Sequence, residues 1–114
     1  MAASARRRLE TILELIELID ARLEDMDADT FAASRDEIDL TAFRLLHIGE
    51  ESRNLPDELK RRHAHIDWRA MYAMRNLISH NYGAVRPIPV WEAARGDLDT
   101  LADVCRRELN GFSE

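Results

Sequence analysis

Three stretches of this chain place apolar residues at alternating steps of three and four. Leu9, Ile12, Ile16, Ile19, Leu23 and Met26 form the first row. Ile38, Thr41, Leu45, Ile48, Ser52 and Leu55 form the second, with two small hydroxyl residues in the row. Trp91, Ala94, Leu98, Leu101 and Cys105 form the third. That alternation keeps one face of an α-helix apolar and is the seam of antiparallel helices packed at shallow angles. Leu13, Leu15 and Leu18 widen the first row, enough to touch two helices, or one helix and a second subunit.

The breakers between the rows set the expected boundaries. The first helix should end near Asp25–Asp29, where short acidic side chains favour caps and turns. Thr30 or Asp29 is a candidate cap for a short segment that merges into the second long helix. Pro56 stops that helix or starts a short one through Lys60 to His63. Asp67 is a plausible N-cap for a helix over residues 68–79, and Gly83 a left-handed exit from it. Pro89 suits the first turn of a final helix over residues 90–109. The sum is an all-α antiparallel bundle of four main helices and one or two short ones, one domain over residues 1–114. Only four Gly and three Pro interrupt it.

No apolar stretch approaches the roughly 18 residues needed to span a membrane, and the N-terminus lacks the apolar block of a secretory signal. A cytoplasmic protein is expected. Cys105, the single cysteine, has no internal disulfide partner and sits at a core spacing, so a buried thiol is expected.

The net charge of −6 is uneven. Residues 1–40 hold five basic and eleven acidic side chains, residues 41–80 seven and five, residues 81–114 four and six. An acidic chain repels nucleic acid, but a local basic patch can still take a small RNA footprint. Lys60, Arg61 and Arg62 are either that patch or a solvated helix end, and Arg6 to Arg8 reads as a frayed basic N-terminus. All four histidines fall in the middle block; His63 and His65 read as a solvated pair in a loop, without a convincing metal spacing. Trp68 and Trp91 read as core anchors.

The middle block also contains Arg75-Asn-Leu-Ile-Ser-His80-Asn-Tyr82, an R-x4-H-x-Y pattern. Arg grips phosphate with a planar fork, and His transfers protons near neutral pH. Together they suggest phosphodiester chemistry. In a continuous α-helix Arg75 and His80 would stand about 140° apart, and Asn76 and His80 would share a face. A helix ending near Ser79 would instead swing His80 towards Arg75, and the spacing does not choose between these geometries. An Arg and a His near a helix end can also do no more than satisfy carbonyls and the helix dipole.

The order of motifs around this octapeptide resembles the HepT-like branch of the HEPN domains, the toxin partners of minimal nucleotidyltransferase antitoxins. Ile48-Gly49-Glu50-Glu51 lies upstream, Ile66-Asp67-Trp68 precedes Met74-Arg75-Asn76, and Val90-Trp91 follows. The resemblance covers residues 30–110. It implies an all-α homodimer that acts as a metal-independent ribonuclease, with no cofactor, within a type VII toxin–antitoxin pair. By that resemblance Arg75 and His80 fall on the catalytic pair, and Asn76 on a supporting polar position. Tyr82 falls on the tyrosine that the partner nucleotidyltransferase adenylylates, unless it is a half-buried core phenol. Gly49 and Glu50 match a Gly-Glu pair on the neighbouring helix; Glu50 is expected to be a structural partner for Arg75 or Arg53. Ser52 stands where a small apolar residue is commoner.

The implied partners are an RNA substrate (tRNA or mRNA), the cognate nucleotidyltransferase and a second copy of the chain. The competing function is a non-catalytic helical module that docks a nucleotidyltransferase or a nucleotide. A plain structural dimer without a ligand is the third.

Overall fold

In the computed structural model, which describes residues 4–77, 85–96 and 98–111, each of the three apolar rows is a buried helix face. Leu9, Ile12, Ile16, Ile19 and Leu23 point inward from α1 (Ala5–Leu23), with Ser4 as its cap. Ile38, Thr41, Leu45, Ile48 and Ser52 point inward from α3 (Arg35–Arg53), capped by Ser34. Each cap hydroxyl accepts the backbone N–H three residues on, meeting donors that the first turn leaves unpaired.

α3 is the central element. It packs on α1 at one side and on α5 (Trp68–Ala73), the 3₁₀ turn Met74–Leu77 and α6 (Pro87–Arg95) at the other. α1 also packs on α7 (Leu98–Gly111). All the described elements are helical, as the apolar spacing demands. The arginine fork of Arg22 grips both oxygens of Glu37 at 2.9–3.2 Å and ties α1 to the start of α3. Arg8 reaches Glu51 at 2.6 Å near the other end of both helices. The expected solvated basic N-terminus is therefore corrected at Arg8, which is mostly buried and paired, while Arg6 and Arg7 are exposed.

Two boundaries differ from the sequence reading, and the short helix after Pro56 agrees with it. The short α2 (Ala28–Ala32) is capped by Asp27, whose carboxylate accepts the Thr30 N–H at 2.7 Å. α2 does not merge into α3, because Ser34 caps a fresh helix and Phe31 turns fully into the core. α4 is Asp57–Arg62, just after Pro56. The final helix is two, α6 and α7, separated at Gly96. A Cβ on Gly96 would lie 2.8 Å from the Glu92 carbonyl, so the break needs glycine. Ala94, Leu98, Leu101 and Cys105 are nonetheless all buried, so the apolar row crosses the interruption without losing its face. Gly83, the expected helix exit, lies outside the described residues.

Cys105 is fully buried, and desolvation pushes its thiol up to about 12, leaving it inert at neutral pH. No helix among the described residues is long and apolar enough to cross a membrane. Ser52 is different: its hydroxyl is fully buried and has no hydrogen-bond partner among the described residues. Ser52→Ala removes an unsatisfied polar atom without opening a large cavity. It should raise the denaturation midpoint, by up to about 1 kcal/mol of stability; a lower midpoint in urea would contradict this.

Glu108 on α7 fastens α4 to the bundle. Its carboxylate accepts from Arg62 at 2.8 Å and meets the His63 ring at 2.6 Å. The hydrogen bond from Arg62 is the main cause holding this carboxyl below its usual range; burial opposes it, and His63 adds to the lowering. A depressed folded pKa gives stability that is complete above the unfolded value and lost as pH falls through the folded one. Thermal melts of wild type and Glu108→Gln should therefore differ at neutral pH and converge in acid. A gap that stays constant down through the carboxylate range would refute the assignment.

Candidate functional site

Asp67 opens the site-bearing element as expected. Its Oδ1 accepts the Ala70 N–H at 3.0 Å and caps α5. The helix expected over residues 68–79 is, however, α-helical only to Ala73. The Met74 N–H bonds back to Met71 and Tyr72, and the chain tightens into the 3₁₀ turn. The three-residue repeat of that turn lines up Met71, Met74 and Leu77, which are buried, buried and partly buried. The core thus favours the tighter winding, and winding tighter aims Arg75 outward.

Gly49 sets how close this turn comes to α3. A Cβ there would stand 2.9 Å from the Met71 carbonyl oxygen and 3.4 Å from the Arg75 nitrogen, both backbone atoms that cannot swing aside. One residue further on, Glu50 Oε1 lies 3.3 Å from an Arg75 terminal nitrogen. Both side chains are 44% exposed, so the pair adds little stability. Its effect is orientation, holding a half-exposed guanidinium at the surface with Glu50 as its side-chain partner among the described residues. Of the alternatives for Glu50, the structure selects Arg75. Asn76 is exposed at the next position. His80 and Tyr82 lie outside the described residues.

A second group of side chains stands beside the first. Lys60 Nζ donates to the Tyr72 hydroxyl at 2.6 Å and to the Arg53 carbonyl at 3.1 Å, and it rides 4.8 Å from the centre of the Tyr72 ring. The Trp68 indole N–H donates to the Lys60 and His63 carbonyls, both at 3.1 Å. The solvated helix end is thereby corrected for Lys60, which is almost buried, while Arg62 is exposed but bound to Glu108. Arg61 alone stays exposed without a side-chain partner among the described residues. His63 is buried against Glu108 rather than solvated. Among the described residues no group of three or more His, Cys, Asp or Glu is placed to hold a metal ion.

Sequence reasoning missed Tyr72 and Lys60 as a unit. Tyr72 stands four residues after Trp68 and three before Arg75, and that spacing was the available signal. Its contact with Lys60 spans twelve residues and leaves no local pattern.

The chain matches the family model described as ribonuclease HepT-like over residues 12–108. It is 33% identical to a protein of Thermococcus cleftensis named "Probable ribonuclease HepT", over 89% of this chain and 92% of that one. A Caldanaerobacter subterraneus subsp. tengcongensis protein named "Putative RNase" is 30% identical, over 84% of this chain and 86% of that one. A Methanocaldococcus jannaschii protein named "Gamma-glutamylcyclotransferase and putative RNase" is 34% identical over 83% of this chain, which spans only 43% of that longer protein. No solved structure matches the chain significantly.

The role of Gly49 can be measured apart from any activity. Gly49→Ala should cost about 1–3 kcal/mol through overpacking against backbone, read as a lower urea midpoint. It should also speed amide hydrogen exchange across residues 71–77. Unchanged stability and unchanged exchange would mean that the helices do not approach as described.

Proposed function

The chain belongs to the HepT-like ribonuclease family, and from that premise we propose that it is an endoribonuclease that works through Arg75 and His80. The observation that carries the reading is the half-exposed Arg75 guanidinium, aimed by Glu50 from a turn that Gly49 lets lie against α3. A fixed, half-exposed cation at a surface turn suits a phosphate, and the rest of the motif follows it within a few residues.

The reaction uses the RNA's own 2′-hydroxyl. Its oxygen attacks the adjacent phosphorus, the bond from phosphorus to the 5′-oxygen breaks, and a 2′,3′-cyclic phosphate and a free 5′-hydroxyl result. One proton must leave the 2′-hydroxyl and one must reach the departing oxygen. His80 serves as base for the first or acid for the second. Arg75 binds the phosphate and stabilises the charge that builds on its oxygens, and Asn76 supports it at the next position. One His does not readily do both transfers in a single step, and a two-fold homodimer would bring a second His80 to the cleft. This chemistry asks for no metal. The family resemblance further supports a toxin's role for this single domain, with tRNA or mRNA as substrate. A partner nucleotidyltransferase would silence it by adenylylating Tyr82.

The test is incubation of the purified chain with total tRNA and mRNA in EDTA. Cleavage should persist in EDTA and fall by at least about a hundredfold in Arg75→Ala and in His80→Ala. Intact RNA with the wild-type chain would remove the enzyme and leave a binding module.

A further inference from the structure

Beside Arg75 the surface opens into a shallow saucer of about 400 Å³, lined by Asp57, Lys60, Arg61, Ala64, Trp68 and Tyr72. Two aromatic rings in its wall and two cations at its edge are the components with which proteins hold single-stranded nucleic acid. Rings take a base by stacking, and cations take the backbone phosphate. The cations here are of two kinds. Lys60 is committed to Tyr72 and the Arg53 carbonyl, so it braces the ring. Arg61, exposed and without a side-chain partner among the described residues, is free to meet a phosphate. Asp57 sits at the rim 3.9 Å from Lys60 Nζ and is 82% exposed, so solvent screens its charge.

The position of the saucer matters as much as its lining. Tyr72 precedes Arg75 by three residues, about one helical turn. α3 measures the same step independently. Lys60 is anchored on the carbonyl of Arg53, and Arg75 on the carboxylate of Glu50, again three residues apart. Tyr72, in the wall of the saucer, and Arg75 therefore stand about one helical turn apart.

We propose that this saucer seats the nucleotide next to the scissile phosphate of a single-stranded RNA, with the base against Trp68 and Tyr72 and its phosphate on Arg61. The proposal rests on the ribonuclease reading and adds the subsite that determines which bond reaches Arg75. It also explains how a chain of net charge −6 can hold RNA: stacking supplies attraction that does not depend on a strongly basic surface.

The experiment uses a fully 2′-O-methylated single-stranded oligonucleotide, which lacks the attacking hydroxyl, and reads binding by fluorescence. In a Trp91→Phe chain, where Trp68 is the remaining tryptophan, titration should quench the emission. Arg61→Ala should weaken binding about fivefold or more and lower the slope of log affinity against log salt by about one. Arg107→Ala, an exposed arginine on α7, should do neither. The proposal requires both the quench and the Arg61 effect; absence of either overturns it. Parallel incubation of the wild-type chain with unmodified RNA separates the two readings. Cleavage with a KM indifferent to Arg61→Ala would sink the subsite and keep the ribonuclease. Binding dependent on Arg61 without cleavage would overturn the ribonuclease reading, and with it the subsite's place beside a scissile phosphate, and leave a single-strand binding surface.

Discussion

Two helices come within backbone contact at Gly49, and the site is arranged around that contact. With any side chain there, a methyl carbon would collide with the Met71 carbonyl and press on the Arg75 amide. Because Gly49 is bare, the end of α5 can lie flat on α3. Met71 and Met74 then drop into the core, and the winding tightens into a 3₁₀ turn that delivers Arg75 to the surface. Glu50 is placed by the same geometry, since it follows Gly49 on α3. A steric requirement at one residue thus becomes an electrostatic arrangement at the next.

Around this contact, most of the nearby cations already have partners in the fold. Arg8 is bound to Glu51, Arg62 to Glu108, and Lys60 to Tyr72 and a helix carbonyl. These links fasten α1, α4 and α7 to the central elements. They also reduce the basic charge left for a ligand, and Arg75, aimed by Glu50, and Arg61, at the edge of an aromatic saucer, are among the exposed cations that remain. On a protein so acidic overall, the placement of the exposed cations matters more to an anionic ligand than their number.

Local periodicity made the bundle readable in advance. The three apolar rows needed only the 3-4 spacing, and each became a buried face. Asp67 was readable as a cap because capping depends on neighbours three residues away. The motif at Arg75 was readable because its residues are consecutive. What escaped was non-local or finely balanced. The break at Gly96 left the third apolar row in phase, so periodicity could not reveal it. The 3₁₀ turn depends on packing against Gly49, which the sequence of α5 alone does not encode. His63 with Glu108, Arg8 with Glu51 and Lys60 with Tyr72 join residues distant in sequence, and a carboxylate at position 108 looks like any other on a charged helix. His80 and Tyr82, named from the motif, lie outside the described residues.

We propose that Glu50 acts on RNA cleavage through Arg75 and by no other route. A double-mutant cycle on RNA cleavage tests it directly, using Glu50→Gln, Arg75→Lys and the pair. If Glu50 only aims the guanidinium, Glu50→Gln slows the wild-type enzyme but adds almost nothing once Arg75 is lysine, because the planar fork it oriented is gone. Fully additive losses would contradict the account and give Glu50 a separate part in the chemistry.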